Sequence, residues 1–193
     1  MENKCGMLVV LSAPSGCGKD TVFKELKKIR NDIVESVSAT TRKPREGEVN
    51  GVNYYFKTND EFVQMINDGK LLEYARYNNC YYGTPVEGVE KAIADGKICF
   101  LIIEVEGAQN IMKMIPDCIT IFLSPPSIDE LRRRLYKRST DNDEEIENRI
   151  RVAEYEMELS SIYKYNVVND VLEDCVNTIN NILNDELAAR NDK

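Results

Sequence analysis

Short apolar runs alternate with helical patterns from the start of the chain. Met7 to Ser12 is a nearly unbroken apolar run of strand length, the spacing from Lys19 to about Arg30 predicts an amphipathic helix, and Val34 to Ser38 predicts a second strand. The chain therefore begins as a β-α-β unit. Ile98 to Val105 and Ile119 to Leu123 are near-continuous apolar runs, the pattern of parallel strands covered on both faces. Helix starts are marked by three Ser/Thr-x-x-Glu patterns, at Thr58 with Glu61, Thr84 with Glu87 and Ser127 with Glu130, with Pro85 at the first helical position of the second. Between Ala39 and Gly83 the pattern changes to polar loops with Tyr54, Tyr55, Tyr74, Tyr77, Tyr81 and Tyr82, which reads as an insertion. A second excursion, highly charged and mostly helical, runs from Ile128 to about Ser160 behind Pro125 and Pro126. Asn166 to Asn169 then predicts a last short strand, and the turns after Asp185 a solvated helix end.

Composition narrows the chemistry. With 193 residues, 42% of them apolar, one domain with a sizeable core is expected; 25 basic against 33 acidic residues give a net charge of −8. That balance argues against a general nucleic-acid or anionic-membrane binder, so a bound anion must meet a local basic patch. The absence of histidine removes Ser-His triads, His-ligated zinc and imidazole acid–base catalysis. Six cysteines at positions 5, 17, 80, 99, 118 and 175 form no Cys-x-x-Cys pair and read as reduced thiols of a cytosolic protein. No membrane span or leader is expected, because Met7 to Leu11 is far too short for one.

The segment Ser12, Ala13, Pro14, Ser15, Gly16, Cys17, Gly18, Lys19, Asp20, Thr21 lies between an apolar strand and an amphipathic helix, the setting of a phosphate-binding loop. Gly16 and Gly18 let the backbone curl so that successive N–H groups face an anion, the helix start adds its positive end, and Lys19 reaches the β- and γ-phosphates of a nucleoside triphosphate. Ala13 stands where the first glycine of the pattern would be. Asp20 stands where a Ser or Thr would help hold Mg²⁺, with Thr21 one place later, so the metal ligands stay unassigned. Cys17, among these amides and near Lys19, is expected to be either a thiol with its thiolate favoured, protected by nucleotide, or a small packed side chain.

Together with Ser12 to Lys19, the run from Ser38 through Thr40, Thr41, Arg42, Lys43, Pro44, Arg45 and Glu46 to Gly47 and Glu48, then Gly51 to Tyr54 and Tyr82 to Thr84, resembles guanylate kinase over nearly the whole chain. The Thr-Thr-Arg-x-Pro-Arg-x-Gly-Glu stretch is its most specific part. The resemblance implies an α/β P-loop NTPase-type three-layer fold with a parallel core sheet, an inserted nucleotide-monophosphate-binding domain and a helical lid. It implies core segments at residues 1–37, 89–126 and 161–193, a GMP-binding insertion at 38–88 and a lid at 127–160. It also implies transfer of a phosphoryl group from ATP to GMP, and to dGMP, with Mg²⁺, in purine nucleotide metabolism in the cytoplasm.

On this resemblance Arg42 and Arg45 grip the GMP phosphate, as two guanidinium forks three residues apart can. Tyr54 and Tyr82 add phenolic donors. Glu73 accepts from guanine N1–H and the exocyclic amine, with Ser38, Gly83 and Thr84 beside the base. A carboxylate there discriminates against AMP, which presents an acceptor. Arg134, Arg138 and Arg149 match lid arginines that counter charge on the transferring phosphoryl group, and Asn169 matches a position near adenine. At Leu101 to Gly107 the family shows two carboxylates flanking an isoleucine and then a glutamine. Here Ile102 replaces the first, Glu104 keeps the second, placed to orient water or the GMP ribose, and Glu106 stands for the glutamine.

Two other readings compete. One is a non-catalytic guanylate-kinase-like module that docks a partner protein, disfavoured by retention of Lys19, Arg134, Arg138 and Arg149. The other is a kinase for a different nucleoside monophosphate, disfavoured by Glu73 and the Arg42/Arg45 stretch. A homo-oligomer is left open.

Overall fold

All six residues from Met7 to Ser12 are buried, on both faces of the strand, as an apolar run with no polar alternation requires. The computed structural model describes residues 6–77, 79–138 and 142–191, the side chains of Tyr77, Arg138 and Asn191 excepted. Its elements are β1 (Met7–Ser12), α1 (Lys19–Ile29), β2 (Ile33–Glu35), β3 (Ala39–Thr40), β4 (Tyr55–Phe56), α2 (Asn59–Asn67), β5 (Leu71–Tyr77), β6 (Cys80–Pro85), α3 (Val86–Ala94), β7 (Ile98–Ile102), α4 (Val105–Met114), β8 (Ile119–Ser124), α5 (Ile128–Arg138), α6 (Asp143–Glu158), a 3-10 turn (Leu159–Ile162), β9 (Tyr165–Val168) and α7 (Leu172–Asn191). A five-stranded sheet has the order β2-β7-β1-β8-β9, and a four-stranded sheet the order β4-β3-β6-β5. The expected α/β class with a parallel central sheet is what the chain forms.

By contacts the chain divides into two units. The first holds the chain through Leu8, Asp32–Leu101 and Glu106–Cys118; the second holds Val9–Asn31, Ile102–Val105 and the chain from Ile119 onward. In the first unit β2 and β7 run parallel with Ile33 opposite Ile98. Residues 39–83 all lie here: β3 pairs parallel with β4, and β6 pairs antiparallel with both β3 and β5. Gly83 of β6 has no room for a side chain, because a Cβ there would meet the Glu73 carbonyl at 2.8 Å and the Phe62 ring at 3.1 Å. Phe62, fully buried, stacks on Tyr81 with ring centroids 5.3 Å apart. Burial of one such ring contributes roughly 1.5–3 kcal/mol.

In the second unit β1 pairs parallel with β8, and β8 with β9. Phe122 of β8 is fully buried and packs on Tyr163 at 5.1 Å. Helix α6 buries Ile146, Ile150 and Ala153, and its start is capped by Asn142, whose side chain accepts from the Glu145 amide while the Glu145 carboxylate accepts from the Asn142 amide.

Local expectations meet mixed outcomes. The strand at Met7 begins and ends as predicted, and the Thr58/Glu61 box forms in full. At Ser127 the hydroxyl caps Glu130 at 3.1 Å, but the Glu130 carboxylate goes to Arg133 and Arg134 instead of back to the cap. The Thr84/Glu87 box does not form. Thr84 is still in β6, opposite Glu73, and Pro85 is the residue before α3 rather than its first. The run Ile98 to Val105 is also divided: the strand stops at Ile102, and Val105 opens α4. Val34 to Ser38 shortens to Ile33–Glu35, and the last strand is Tyr165–Val168.

Candidate functional site

The loop after β1 owes its shape to two glycines. Gly16 and Gly18 both have φ near +92°, a conformation open to glycine and strained for other residues. A Cβ at Gly18 would also stand 2.9 Å from Asn169 Nδ2. The curl is closed by the Cys17 amide donating to the Pro14 carbonyl at 3.2 Å, and Gly18 then serves as the cap of α1. Lys19, the first residue of that helix, folds back so that Nζ donates to the Ala13 carbonyl at 2.8 Å and lies 3.6 Å from Glu104. Asn169 braces the loop from the end of β9: its Nδ2 donates to the Cys17 carbonyl at 2.7 Å and its own amide to the Ser124 carbonyl at 2.8 Å. Gly16, Cys17, Gly18, Thr21, Arg134, Asn169 and Asp170 line a cavity of about 250 Å³; Asp20 is exposed and does not.

Of the run Arg132 to Arg134, Arg134, the one the resemblance singles out, is tied to the brace of this loop: its Nη2 donates to the Asn169 carbonyl at 2.9 Å while Nε is held by Glu130 at 2.8 Å. Arg133 is exposed on Glu130, and Arg132 pairs with Glu147. Arg133 and then Arg134 hold the Glu130 carboxyl down at about 2. Arg149 of α6 also reaches the loop, with Nη2 donating to Ser15 Oγ at 2.7 Å. The Arg138 side chain and Asp141 lie outside the described residues.

In the first unit a second cluster forms. Arg42 gives both terminal nitrogens to Glu48, at 2.7 and 3.0 Å, and one to the Lys43 carbonyl at 2.8 Å. The Arg45 amide donates to the same carboxylate at 2.7 Å, so the turn between the two arginines is tied by Glu48. Arg42, followed by the Arg45 amide, pulls the Glu48 carboxyl down to about 2 and raises its own affinity for a proton. Its guanidinium lies over the Tyr54 ring at 5.3 Å, and Tyr54 meets Tyr82 edge-on at 6.1 Å. Across the β5–β6 ladder Glu73 is 7% exposed and its Oε1 accepts from the Thr84 hydroxyl at 2.8 Å. Burial, and to a smaller degree the Glu106 charge, pushes the Glu73 carboxyl above its ordinary value. The structure thus brings Arg42, Tyr54 and Tyr82 together, ties the Arg45 backbone to the same turn and sets Glu73 with Thr84; Ser38, whose carbonyl accepts from the Tyr55 amide at 2.8 Å, opens the same small sheet.

A profile of the family described as Guanylate kinase matches residues 6–186. The chain belongs to the guanylate kinase family. It is 48% identical to a guanylate kinase of Shouchella clausii strain KSM-K16 over 190 residues, 98% of this chain and 93% of that one. It is 50% identical to one of Bacillus subtilis strain 168 over 179 residues, 92% and 88% of the two chains. A crystal structure of guanylate kinase from Anaplasma phagocytophilum superposes with a TM-score of 0.78 at 34% identity, covering 95% of this chain and 87% of that one.

Within this guanylate kinase scaffold Cys17 meets the second of its two expectations, the small packed side chain, and not the favoured thiolate. It is fully buried, and burial pushes the thiol up to about 12, outweighing the attraction of Lys19 and Arg134. Alkylation of the native protein at neutral pH is expected to label Cys80, which is partly exposed, well before Cys17; mass spectrometry of a timed iodoacetamide reaction checks the order. Glu104 belongs to the second unit, beside Lys19, whereas the other residues expected at GMP lie in the first. Sequence reasoning also passed over Glu48 as the tie of the arginine turn, although a carboxylate three to six residues from two arginines is a visible signal.

Proposed function

We propose that this chain transfers the γ-phosphoryl group of ATP to GMP, and to dGMP, in purine nucleotide metabolism in the cytoplasm. The observation that carries the reading is the paired equipment: a glycine-curled loop with Lys19, Arg134 and Arg149 turned to it, and separately an arginine–tyrosine cluster with a buried acceptor carboxylate. Ala13 to Thr21 hold the triphosphate, with Asn169 as the brace of the loop. Arg42, Arg45, Tyr54 and Tyr82 hold the GMP phosphate, and Ser38, Glu73, Gly83 and Thr84 read guanine. We assign 38–88 as the GMP-binding insertion and 127–160 as the lid, with Arg138 a third lid cation and Glu104 serving near Lys19. Among the described residues no helix is long and apolar enough to cross a membrane.

Because the GMP phosphate oxygen is already an anionic nucleophile, no histidine or other strong base is required, and the residues act by positioning and by neutralising charge. Lys19 and the loop amides take the β- and γ-oxygens, and Arg134 and Arg149 meet charge that grows on the transferring group. Among the described residues no three acidic or thiol side chains converge to cage a metal. That donor set fits an ion carried in on the triphosphate, keeping its waters and few protein oxygens, with the Thr21 hydroxyl beside the loop as the group that would hold it. Bound there, Mg²⁺ supplies further neutralisation of the phosphate oxygens.

A coupled assay of ADP release with GMP, dGMP, AMP, CMP and UMP, with and without chelator, tests the reading. Turnover with GMP and dGMP alone, lost on chelation, is expected. Turnover favouring AMP or UMP, or none with any acceptor, overturns it.

A further inference from the structure

A carboxylate is built into the turn that carries Arg42 and Arg45. The Arg42 amide donates to Thr40 Oγ1 at 3.2 Å, and that hydroxyl donates in turn to the Tyr81 carbonyl of β6 at 2.8 Å, so the backbone entering the turn is fixed to the small sheet. Beyond Pro44 the chain bends through Gly47, at φ +83°, and comes back on itself. The Glu48 amide donates to the Arg45 carbonyl at 3.1 Å while the Glu48 carboxylate accepts from the Arg45 amide at 2.7 Å. That double link sets the carboxylate opposite Arg42, where it takes the guanidinium end-on, Nη2 on Oε1 at 2.7 Å and Nη1 on Oε2 at 3.0 Å.

A guanidinium carries its N–H donors in a fixed plane, so spending one edge decides what the other can do. On Arg42, Nη1 gives one N–H to Glu48 and its other to the Lys43 carbonyl at 2.8 Å, and Nη2 gives one to Glu48. The Nε–H and the second Nη2–H lie side by side on the remaining edge, and they go to no carbonyl or carboxylate among the described residues. The hydroxyl that the guanidinium also feels is that of Tyr82, a phenol assigned above to the GMP phosphate. The Tyr54 ring at 5.3 Å and the Phe56 ring at 5.8 Å flank the plane. With the Arg42 and Glu48 side chains only 17% and 18% exposed, neither swings freely in solvent.

We propose that Glu48 is the positioning residue of the GMP phosphate site: by holding the end-on edge of Arg42 together with the Arg45 amide, it leaves the Nε and Nη2 edge as a preset fork for that phosphate. On this assignment Glu48 does not touch GMP and acts through Arg42. The sign of its effect runs against simple charge. A carboxylate beside two arginines lowers the positive charge that a phosphate meets, so electrostatics alone would bind GMP more tightly without it. Positioning has the opposite effect. An arginine without its partner must be immobilised by each incoming GMP, and its fork is no longer preset.

The inference rests on the GMP site proposed above, and steady-state kinetics separates the two. GMP and ATP are varied in turn with the wild-type chain and with Glu48→Gln, whose side chain keeps the size and one acceptor but sets an amide N–H against a guanidinium N–H. The KM for GMP is expected to rise roughly tenfold in the variant, while the KM for ATP stays within about twofold. Loss of folded protein alone would lower kcat and move neither KM. A KM for GMP that is unchanged, lower, or raised no more than the KM for ATP overturns the inference and leaves the GMP site standing; no turnover of GMP by the wild-type protein removes the site itself. Should Glu48→Gln fail to fold, nitrogen-15 NMR of the wild-type protein decides. The Arg42 Nε–H resonance, identified by its absence from Arg42→Lys, shifts and exchanges more slowly at saturating GMP, and an unmoved resonance overturns the proposal.

Discussion

Replacing Lys19 by methionine is expected to lower kcat/KM for ATP by roughly a thousandfold, about 4 kcal/mol of transition-state stabilisation, with little change in the unfolding midpoint. The side chain sits at the mouth of the glycine curl with its ammonium on the Ala13 carbonyl, and methionine keeps the length and the packing while removing the charge. The carboxylate left behind at 3.6 Å, Glu104, is largely solvated, so the loss of this pair costs the fold little. Steady-state kinetics and a denaturation curve on the same preparation give both numbers. A variant within tenfold of wild type would remove Lys19 from the phosphoryl-transfer machinery.

Glu73→Gln is expected to cut kcat/KM for GMP at least a hundredfold while leaving the poor rate with AMP nearly unchanged. Glutamine retains one acceptor, so the Thr84 hydroxyl keeps its partner. The other oxygen becomes an amide that donates, and it then opposes the donors of guanine in a site only 7% exposed. A charged acceptor lost in such a site is worth about 1.5–3 kcal/mol for each hydrogen bond, and the opposed donors add to it. Parallel assays with GMP and AMP measure the ratio; if it does not move, Glu73 is a packed strand carboxylate and guanine is read elsewhere.

What the sequence made legible was whatever local pattern decides. The nearly unbroken apolar run at Met7 to Ser12, strand-length and bounded by a Pro/Gly-rich loop, reads as a strand buried on both faces, and the two glycines before Lys19 read as a curl. Where two local patterns fit one segment, tertiary pairing chose between them. Thr84 carries a helix-cap pattern, but its hydroxyl is spent across the ladder on Glu73, so the chain stays in β6 through Pro85. The apolar run at Ile98 to Val105 concealed a change of state because Val105, which opens α4, is as buried as the strand before it. Cys17 needed its burial to be known, since desolvation and the Lys19 charge push the thiol in opposite directions and only depth settles the contest. The capping box at Asn142 lies outside the Ser/Thr-x-x-Glu pattern, with Asn, which caps as well, in place of the hydroxyl.

Asn169 makes three hydrogen bonds from a single residue: side-chain amide to the Cys17 carbonyl, backbone amide to the end of β8, and backbone carbonyl from Arg134 of α5. It acts as a common knot for three strings. Through it Arg134 of the charged helix and the glycine curl share one hydrogen-bonded residue. Substitutions on any two of the strings should therefore refuse to add, even where their side chains never touch.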